Sequence, residues 1–423
     1  MPVDANLTPT ALQIVALCLF CLALVHVFLA AKIESLAHRF HAHSGTLHLL
    51  GEVEVVFGFW ALVLFGFHSF LVGYPQAVAH LESLNFHEPI FVFVIMVVAG
   101  CRPVIQAASQ LVQILSRMIP LPGAIGFAFV TLGVAPLLGS FITEPAAMTV
   151  AALLLRDRIL PKGISDRMRY AALGTLFVNI SIGGTLTTFA APPVLMVAGA
   201  WGWDGAYMLS HFGVRAIPVV LLNAAAFAFL FRKELAGLPK DPPRRTDAVP
   251  AALIALHLVL LALVVVVSHH TVLLVGLLLF FLGIVQAYRR HHSPLLLREA
   301  LLVGFFLGGL VVLGSQQAWW LSPLVEGLSD KVLLVGATGL TAVVDNAALT
   351  YLGSLIPSTT ESFRYHLVAG AVAGGGLTLI ANAPNPAGAS ILRERFPEGI
   401  IAPARLFLWA LPPTLVALLA FGI

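Results

Sequence analysis

The sequence predicts an all-α polytopic membrane protein made of inverted repeats, with two re-entrant hairpins and two broken transmembrane helices. Three observations carry that expectation. The 423 residues are 59% hydrophobic and 10% charged, with mean hydropathy +0.96, which leaves too little charged surface for a soluble protein of this size. Several apolar segments are overlong and interrupted by glycine, proline and a carboxylic acid. Those interruptions occur twice, in the same order along the chain.

The net charge of +3 is small, and the basic residues cluster between apolar runs, as in cytoplasmic loops and unlike a nucleic-acid-binding face. Cys18, Cys21 and Cys101 lie in apolar segments; the Cys18-x-x-Cys21 spacing has no second pair, so a structural role is expected. The first ten residues carry no Lys or Arg, so no cleavable signal peptide is expected.

Residues 1–88 read as N-terminal scaffold helices. Ala11–Ala31 is long enough to cross the hydrocarbon core, and Lys32 and Arg39 place its end in the cytoplasm. His38, His41, His43 and His48 follow without an HExxH motif, and a solvated loop is expected there. Leu49–Val72 returns outward. Residues 89–232 form the first repeat: a span from Pro89 to about Ala108, an amphipathic stretch, a hairpin from Pro122 to Leu155, a broken helix from Arg169 to about Ala200, and a return span from Phe212 to Phe231. Residues 233–298 supply a polar linker with Lys240, Pro242-Pro243 and Arg244-Arg245, then a scaffold helix pair. Residues 299–423 form the second repeat, with an interrupted segment from Pro323 to Pro357, a broken helix from Arg364 to Leu392, and a last crossing from Ala402 to Phe421.

The duplication rests on motif order. Glu144-Pro-Ala-Ala-Met-Thr149 matches Asp345-Asn-Ala-Ala-Leu-Thr350, Arg169-Tyr170 matches Arg364-Tyr365, and a glycine cluster, Leu-Thr and a proline cluster follow in each half. The first hairpin is expected to enter from inside and the second from outside. Paired interrupted segments in two halves are the best sequence pointer to a transport site near the bilayer midplane.

The candidate cation- and proton-binding residues are Glu144, Thr143, Asn179, Thr185 and Thr187 in the first half, and Asp345, Asn346, Thr378, Asn382 and Asn385 in the second. A dehydrated Na+ needs oxygen ligands, and carboxylates, carboxamides, hydroxyls and the carbonyls of unwound helices supply them. Burial disfavours the charged form of a carboxyl group, and either a proton or a cation relieves that cost. Competition between the two at one carboxylate, with alternating access, yields exchange. Neither hairpin interior holds a Lys or Arg to neutralise its acid permanently. The bland alternatives are hydrogen-bonded structural acids, and Asn and Thr side chains that only cross-link helices.

These motifs resemble the ion-transporter superfamily, and within it the sodium/proton antiporter family. The resemblance lies in the hairpin tips Glu144-Pro-Ala-Ala-Met and Asp345-Asn-Ala-Ala-Leu, in Gly183-Gly-Thr-Leu-Thr187 through Pro192-Pro193, and in Gly375-Gly-Leu-Thr378 through Pro384-Asn385-Pro386. It covers about Pro89 to the C-terminus. It implies an inverted-repeat fold, cation sites between each hairpin tip and the following broken helix, a homodimer, transported Na+ and H+, and no cofactor. Dicarboxylate carriers of the superfamily have Ser-Asn-Thr tips, from which Thr143-Glu-Pro and Asp345-Asn-Ala depart. Glu144-Pro145 also departs from the Asp-Asn tip of a sodium/proton exchanger. The expectation is therefore a secondary transporter exchanging Na+ or Li+ for H+ in the cytoplasmic (inner) membrane, with a small inorganic cation and the bilayer as partners and no nucleic acid. The rivals are an anion or arsenite permease of the same superfamily, a channel, and, more remotely, an intramembrane hydrolase.

Overall fold

The computed structural model describes residues 9–37, 43–161, 163–239, 248–325, 327–357 and 359–423. His38, Arg39 and His41 of the histidine cluster, Lys162, and the linker residues Lys240, Pro242, Pro243, Arg244 and Arg245 lie outside them. The described residues are 80% helix, with no strand among them.

In chain order the helices that matter are α1 (Ala11–Ala37), α2 (Val53–Val72), α3 (His87–Ala99), α4 (Arg102–Met118), α5 (Ile125–Ile142), α6 (Glu144–Leu154), α7 (Asp166–Gly183) and α8 (Pro192–Trp201). They continue as α9 (Val214–Leu230), α10 (Ala251–Val266), α11 (Thr271–Ala287), α12 (Leu297–Gly314), α13 (Asp330–Thr341), α14 (Asn346–Ser354), α15 (Glu361–Gly374), α16 (Asn385–Leu392) and α17 (Pro403–Phe421). Among the described residues six helices are long and apolar enough to span a bilayer, or seven if the pair Tyr74–Ser83 and α3, bent by 60°, counts as one span. The protein is therefore a multi-pass membrane protein.

The continuous helix expected from Pro89 to about Ala108 is broken. α3 ends at Ala99, Cys101 is extended (φ −75°, ψ 152°), and Pro103 opens α4. Proline fits the first turn of a new helix, whose amides lack an intrahelical partner anyway. Beyond the break α4 is amphipathic as expected, burying Val104, Ala108 and Val112 along one face.

The described residues fall into two compact units. One comprises those of Met1–Phe93, Leu297–Leu328 and Tyr351–Thr359; the other comprises those of Val94–Leu296, Ser329–Thr350 and Thr360–Ile423. In the first unit α2 packs against α1 and α12, closely enough that a Cβ on Gly309 would overlap the backbone of Gly58. Every candidate site residue falls in the second unit.

In that unit α5 doubles back into α6 through one residue, Thr143, which takes φ 75°, ψ 150°. Positive φ is rare for a residue with a Cβ and costs on the order of 1 kcal/mol or more. The reversal brings Gly139 against Ala147, where an added Cβ would meet the Ala147 Cβ at 3.2 Å; in one straight helix those residues would stand about 12 Å apart. The second tip is looser: α13 ends at Thr341, and the amides of Val343 and Val344 both turn back onto the Leu340 carbonyl at 3.0 and 2.9 Å.

Hydroxyl caps start the long helices that frame these tips. Ser165, Ser329 and Thr360 accept hydrogen bonds from the amides of Met168, Val332 and Phe363. Both expected broken helices are present. α7 stops at Gly183, passes through one 3-10 turn at Gly184–Leu186 and resumes as α8 at Pro192. α15 stops at Gly374 and the chain resumes as α16 at Asn385, with Pro386 in its first turn. Proline tolerates those first turns because their amides lack an intrahelical partner anyway.

Candidate ion site

The site is assembled where each tip meets the break that follows it. In the first half, the Glu144 amide donates to the Ala190 carbonyl at 3.5 Å. The Thr187 hydroxyl donates to the Ser140 carbonyl at 2.7 Å. The Ser140 hydroxyl bridges the break, donating to Gly183 O at 2.7 Å and accepting from Leu186 N at 2.9 Å. In the second half, the Asn346 amide donates to Ala381 O at 3.1 Å and the Thr378 hydroxyl to Ala342 O at 2.9 Å.

The recurrence has one constant register. Thr187 on Ser140 corresponds to Thr378 on Ala342, and Glu144 on Ala190 to Asn346 on Ala381. Gly183 lies against the Pro136 carbonyl as Gly374 lies against that of Thr338, and Gly184 faces the Glu144 side chain as Gly375 faces that of Asn346. Asn179 reaches the Leu132 carbonyl where, in the other half, Gly370 touches that of Leu334. All five correspondences pair Glu144 with Asn346 and Thr143 with Asp345. The sequence match of Glu144-Pro-Ala-Ala-Met to Asp345-Asn-Ala-Ala-Leu is one position out of this register.

The two acids accordingly have different surroundings. Glu144 is 0% exposed. Its Oε2 accepts from Asn382 Nδ2 at 2.8 Å, while Oε1 is buried without a protein hydrogen-bond partner. Asp345 is only partly buried, and its Oδ1 accepts from the amides of Ala347 and Ala348 at 2.9 and 3.2 Å, which makes it the N-cap of α14.

Around Glu144 the buried oxygens Asn382 Oδ1 and Thr143 Oγ1 also lack protein partners, as do Asn346 Oδ1, Asn385 Oδ1 and Thr341 Oγ1 in the second half. Buried polar atoms are ordinarily satisfied, so each of these oxygens is suited to a ligand that accepts lone pairs. Asn385 Nδ2 donates to the carbonyls of Gly375 and Thr378, both at 2.8 Å, which aims its amide nitrogen at the unwound backbone. Asn346 Nδ2 donates to Ser181 Oγ at 3.5 Å, and Ser181 Oγ donates to Val372 O at 2.8 Å. The glycines at this crossing are required, since a Cβ on Gly375 would overlap Ser181 and one on Gly376 would overlap the Val178 backbone.

The remaining expected residues are held in helix-to-helix and local bonds. Asn179 Nδ2 donates to Leu132 O at 2.7 Å and Val220 O at 3.0 Å, and its Oδ1 accepts from Asn223 Nδ2 at 2.9 Å, tying α7 to α5 and α9. Thr185 donates to Ile182 O at 2.7 Å. Ser140, Ser181, Asn223 and Thr341 were not anticipated. The signal that could have found them is a lone polar side chain inside an apolar helix, which in a membrane needs a partner. His48, the described end of the histidine cluster, sits 2.9 Å from Glu34, and among the described residues no three His, Cys, Asp or Glu side chains form a metal-holding group.

Multiple spans, paired helix breaks and a buried polar cluster containing an acid describe a multi-pass integral membrane protein. The chain matches, over residues 11–423, the family described as "Putative Na+/H+ antiporter", and it belongs to that family. This is a family of transporters, not enzymes, and cation/proton exchange is its described activity. No curated protein matches the chain significantly.

Proposed function

We propose that the protein exchanges Na+ or Li+ for H+ across the cytoplasmic membrane, by competition at a buried carboxylate, with Glu144 as the candidate. The observation that carries the reading is Glu144: a fully buried carboxylate with one oxygen lacking a protein partner, beside carboxamide and hydroxyl oxygens in the same condition. An uncompensated buried charge is strongly unfavourable. A proton on the carboxylate or a cation beside it removes that cost, and occupancy by one excludes the other. Among the described residues the side chain hydrogen-bonded to Glu144 is the neutral amide of Asn382, so neutralisation falls to a mobile partner.

The recurring contacts support an inverted repeat. Ser181 and Val372 are equivalent positions in the register above, and they touch each other, as residues beside a two-fold axis do. Such a repeat lets one half rock against the other around a fixed site.

The test is cation-driven proton movement in proteoliposomes with a trapped pH dye, adding Na+, Li+, K+ or Ca2+ in turn. Proton movement with Na+ or Li+ supports the exchanger. No movement with any cation at any pH rejects it, and radiolabelled anion uptake and arsenite efflux become the next assays.

A further inference from the structure

We infer that the two acids do not share one job: Glu144 is the carboxylate that binds the transported cation, and Asp345 is a positioning residue that holds the start of α14. This rests on the exchange reading and assigns roles within it. The sequence alone favours treating the acids as a matched pair, because each opens an acid-x-Ala-Ala-apolar-Thr run. The five recurring contacts place them at non-equivalent positions, with Thr143 standing where Asp345 stands and Asn346 where Glu144 stands.

At the inner position the side chain projects over the first glycine of the helix break. A Cβ on Gly184 would lie 2.5 Å from Glu144 Oε1, and one on Gly375 would lie 2.8 Å from Asn346 Nδ2. Both side chains are fully buried, and each retains an oxygen with no protein partner. At the outer position the residue opens the inner helix: the Thr143 carbonyl accepts from Ala147 N at 3.0 Å and the Asp345 carbonyl from Leu349 N at 3.1 Å, and the Asp345 carboxylate adds a side-chain cap, accepting from Ala347 and Ala348. A carboxylate accepting backbone amides at a helix start is already compensated by those dipoles. It therefore has less to gain from a cation than Glu144 Oε1.

The protein thus has one inner position with a carboxylate and one with a neutral carboxamide. The carboxylate site joins the two halves, because its fixed donor, Asn382, comes from the second broken helix. The ligand class is a small, hard monovalent cation: the inner position offers one carboxylate with carboxamide and hydroxyl oxygens, which suits one positive charge, while the neighbouring Asp345 carboxylate is already engaged by the amides of Ala347 and Ala348.

The experiment compares wild type, Glu144→Gln, Asp345→Asn, Asp345→Ser and Asp345→Ala, by equilibrium 22Na+ binding in detergent and by the Na+ dependence of proton movement in proteoliposomes. Glu144→Gln is expected to raise half-saturation for Na+ at least tenfold and to abolish exchange. Asn and Ser still cap a helix, so Asp345→Asn and Asp345→Ser should keep half-saturation within about twofold of wild type. Asp345→Ala should lower the maximal rate and thermal stability with half-saturation unchanged. That split between rate and affinity, with rescue by Ser, separates positioning from binding.

If Glu144→Gln does not fold, Glu144→Asp, which retracts the charge by one methylene, should still raise half-saturation several-fold. Loss of Na+ binding in folded Asp345→Asn and Asp345→Ser, or wild-type binding in Glu144→Gln, overturns the assignment. A wild type that neither binds nor exchanges Na+ or Li+ rejects the exchange reading itself, and the role assignment with it.

Discussion

Gly184→Ala alters the site without altering its charge. The new Cβ would lie 2.5 Å from Oε1 and 2.7 Å from Cγ of Glu144, closer than real Cβ atoms approach other atoms, so the carboxylate must move. Glu144 is closed in on all sides, and the displacement that relieves the overlap draws Oε2 away from Asn382 Nδ2, now at 2.8 Å. A hydrogen bond to a charged group contributes about 1.5–3 kcal/mol, and each ~1.4 kcal/mol is tenfold in an equilibrium constant. Half-saturation for Na+ should therefore rise roughly tenfold to a hundredfold, read as the Na+ dependence of proton movement in proteoliposomes. Gly336→Ala is the matched control: nothing lies within 4 Å of its Cβ position, and alanine is the better helix former. An unchanged Na+ dependence in folded Gly184→Ala would refute the placement of Glu144 over the helix break.

Further outcomes follow from the same geometry. Asn179→Ala removes three buried interhelical bonds; at about 0.6 kcal/mol each in a membrane, it should cost on the order of 2 kcal/mol in thermal unfolding and leave Na+ half-saturation unchanged. Gly376→Ala meets the rigid Val178 backbone and should destabilise by about 1–3 kcal/mol, seen as lost monodispersity on size-exclusion chromatography. Burial, with His257 and His291 adding to it, pushes His292, in the loop after α11, from 6.5 down to about 4. The unfolded chain then binds the proton more readily, so this group's stabilisation is complete above about pH 6.5 and fades as pH falls towards 4. Melting curves across that window should lose part of their slope in His292→Gln.

The sequence made the helix breaks legible because glycine pairs and prolines act locally: Gly183-Gly184 with Pro192-Pro193, and Gly374-Gly375 with Pro386, end and restart helices wherever they occur. Acids at the hairpin tips were equally visible, since a carboxylate in an apolar run is conspicuous. The register between the tips was not legible. It is set by carbonyls of Leu132, Pro136, Ser140 and their counterparts meeting the broken helices, and a carbonyl is present at every residue. Acid-to-acid similarity therefore misled by one position. The split of roles within one residue type was hidden for the same reason: Asn179 has all its polar atoms engaged by α5 and α9, whereas Asn382 keeps its oxygen for the site. The break at Cys101 was missed although Gly100, Arg102 and Pro103 mark it, because the apolar residues on both sides read as one span.

The most direct measurement of the central claim is proton release on cation binding: Na+ is added to concentrated, weakly buffered purified protein, and the pH change is followed for wild type and Glu144→Gln. The account predicts that Na+ acidifies the wild-type solution, with saturation, and leaves Glu144→Gln unresponsive while Asp345→Ser responds like wild type. No acidification of the wild type, or equal acidification with Glu144→Gln, would contradict it.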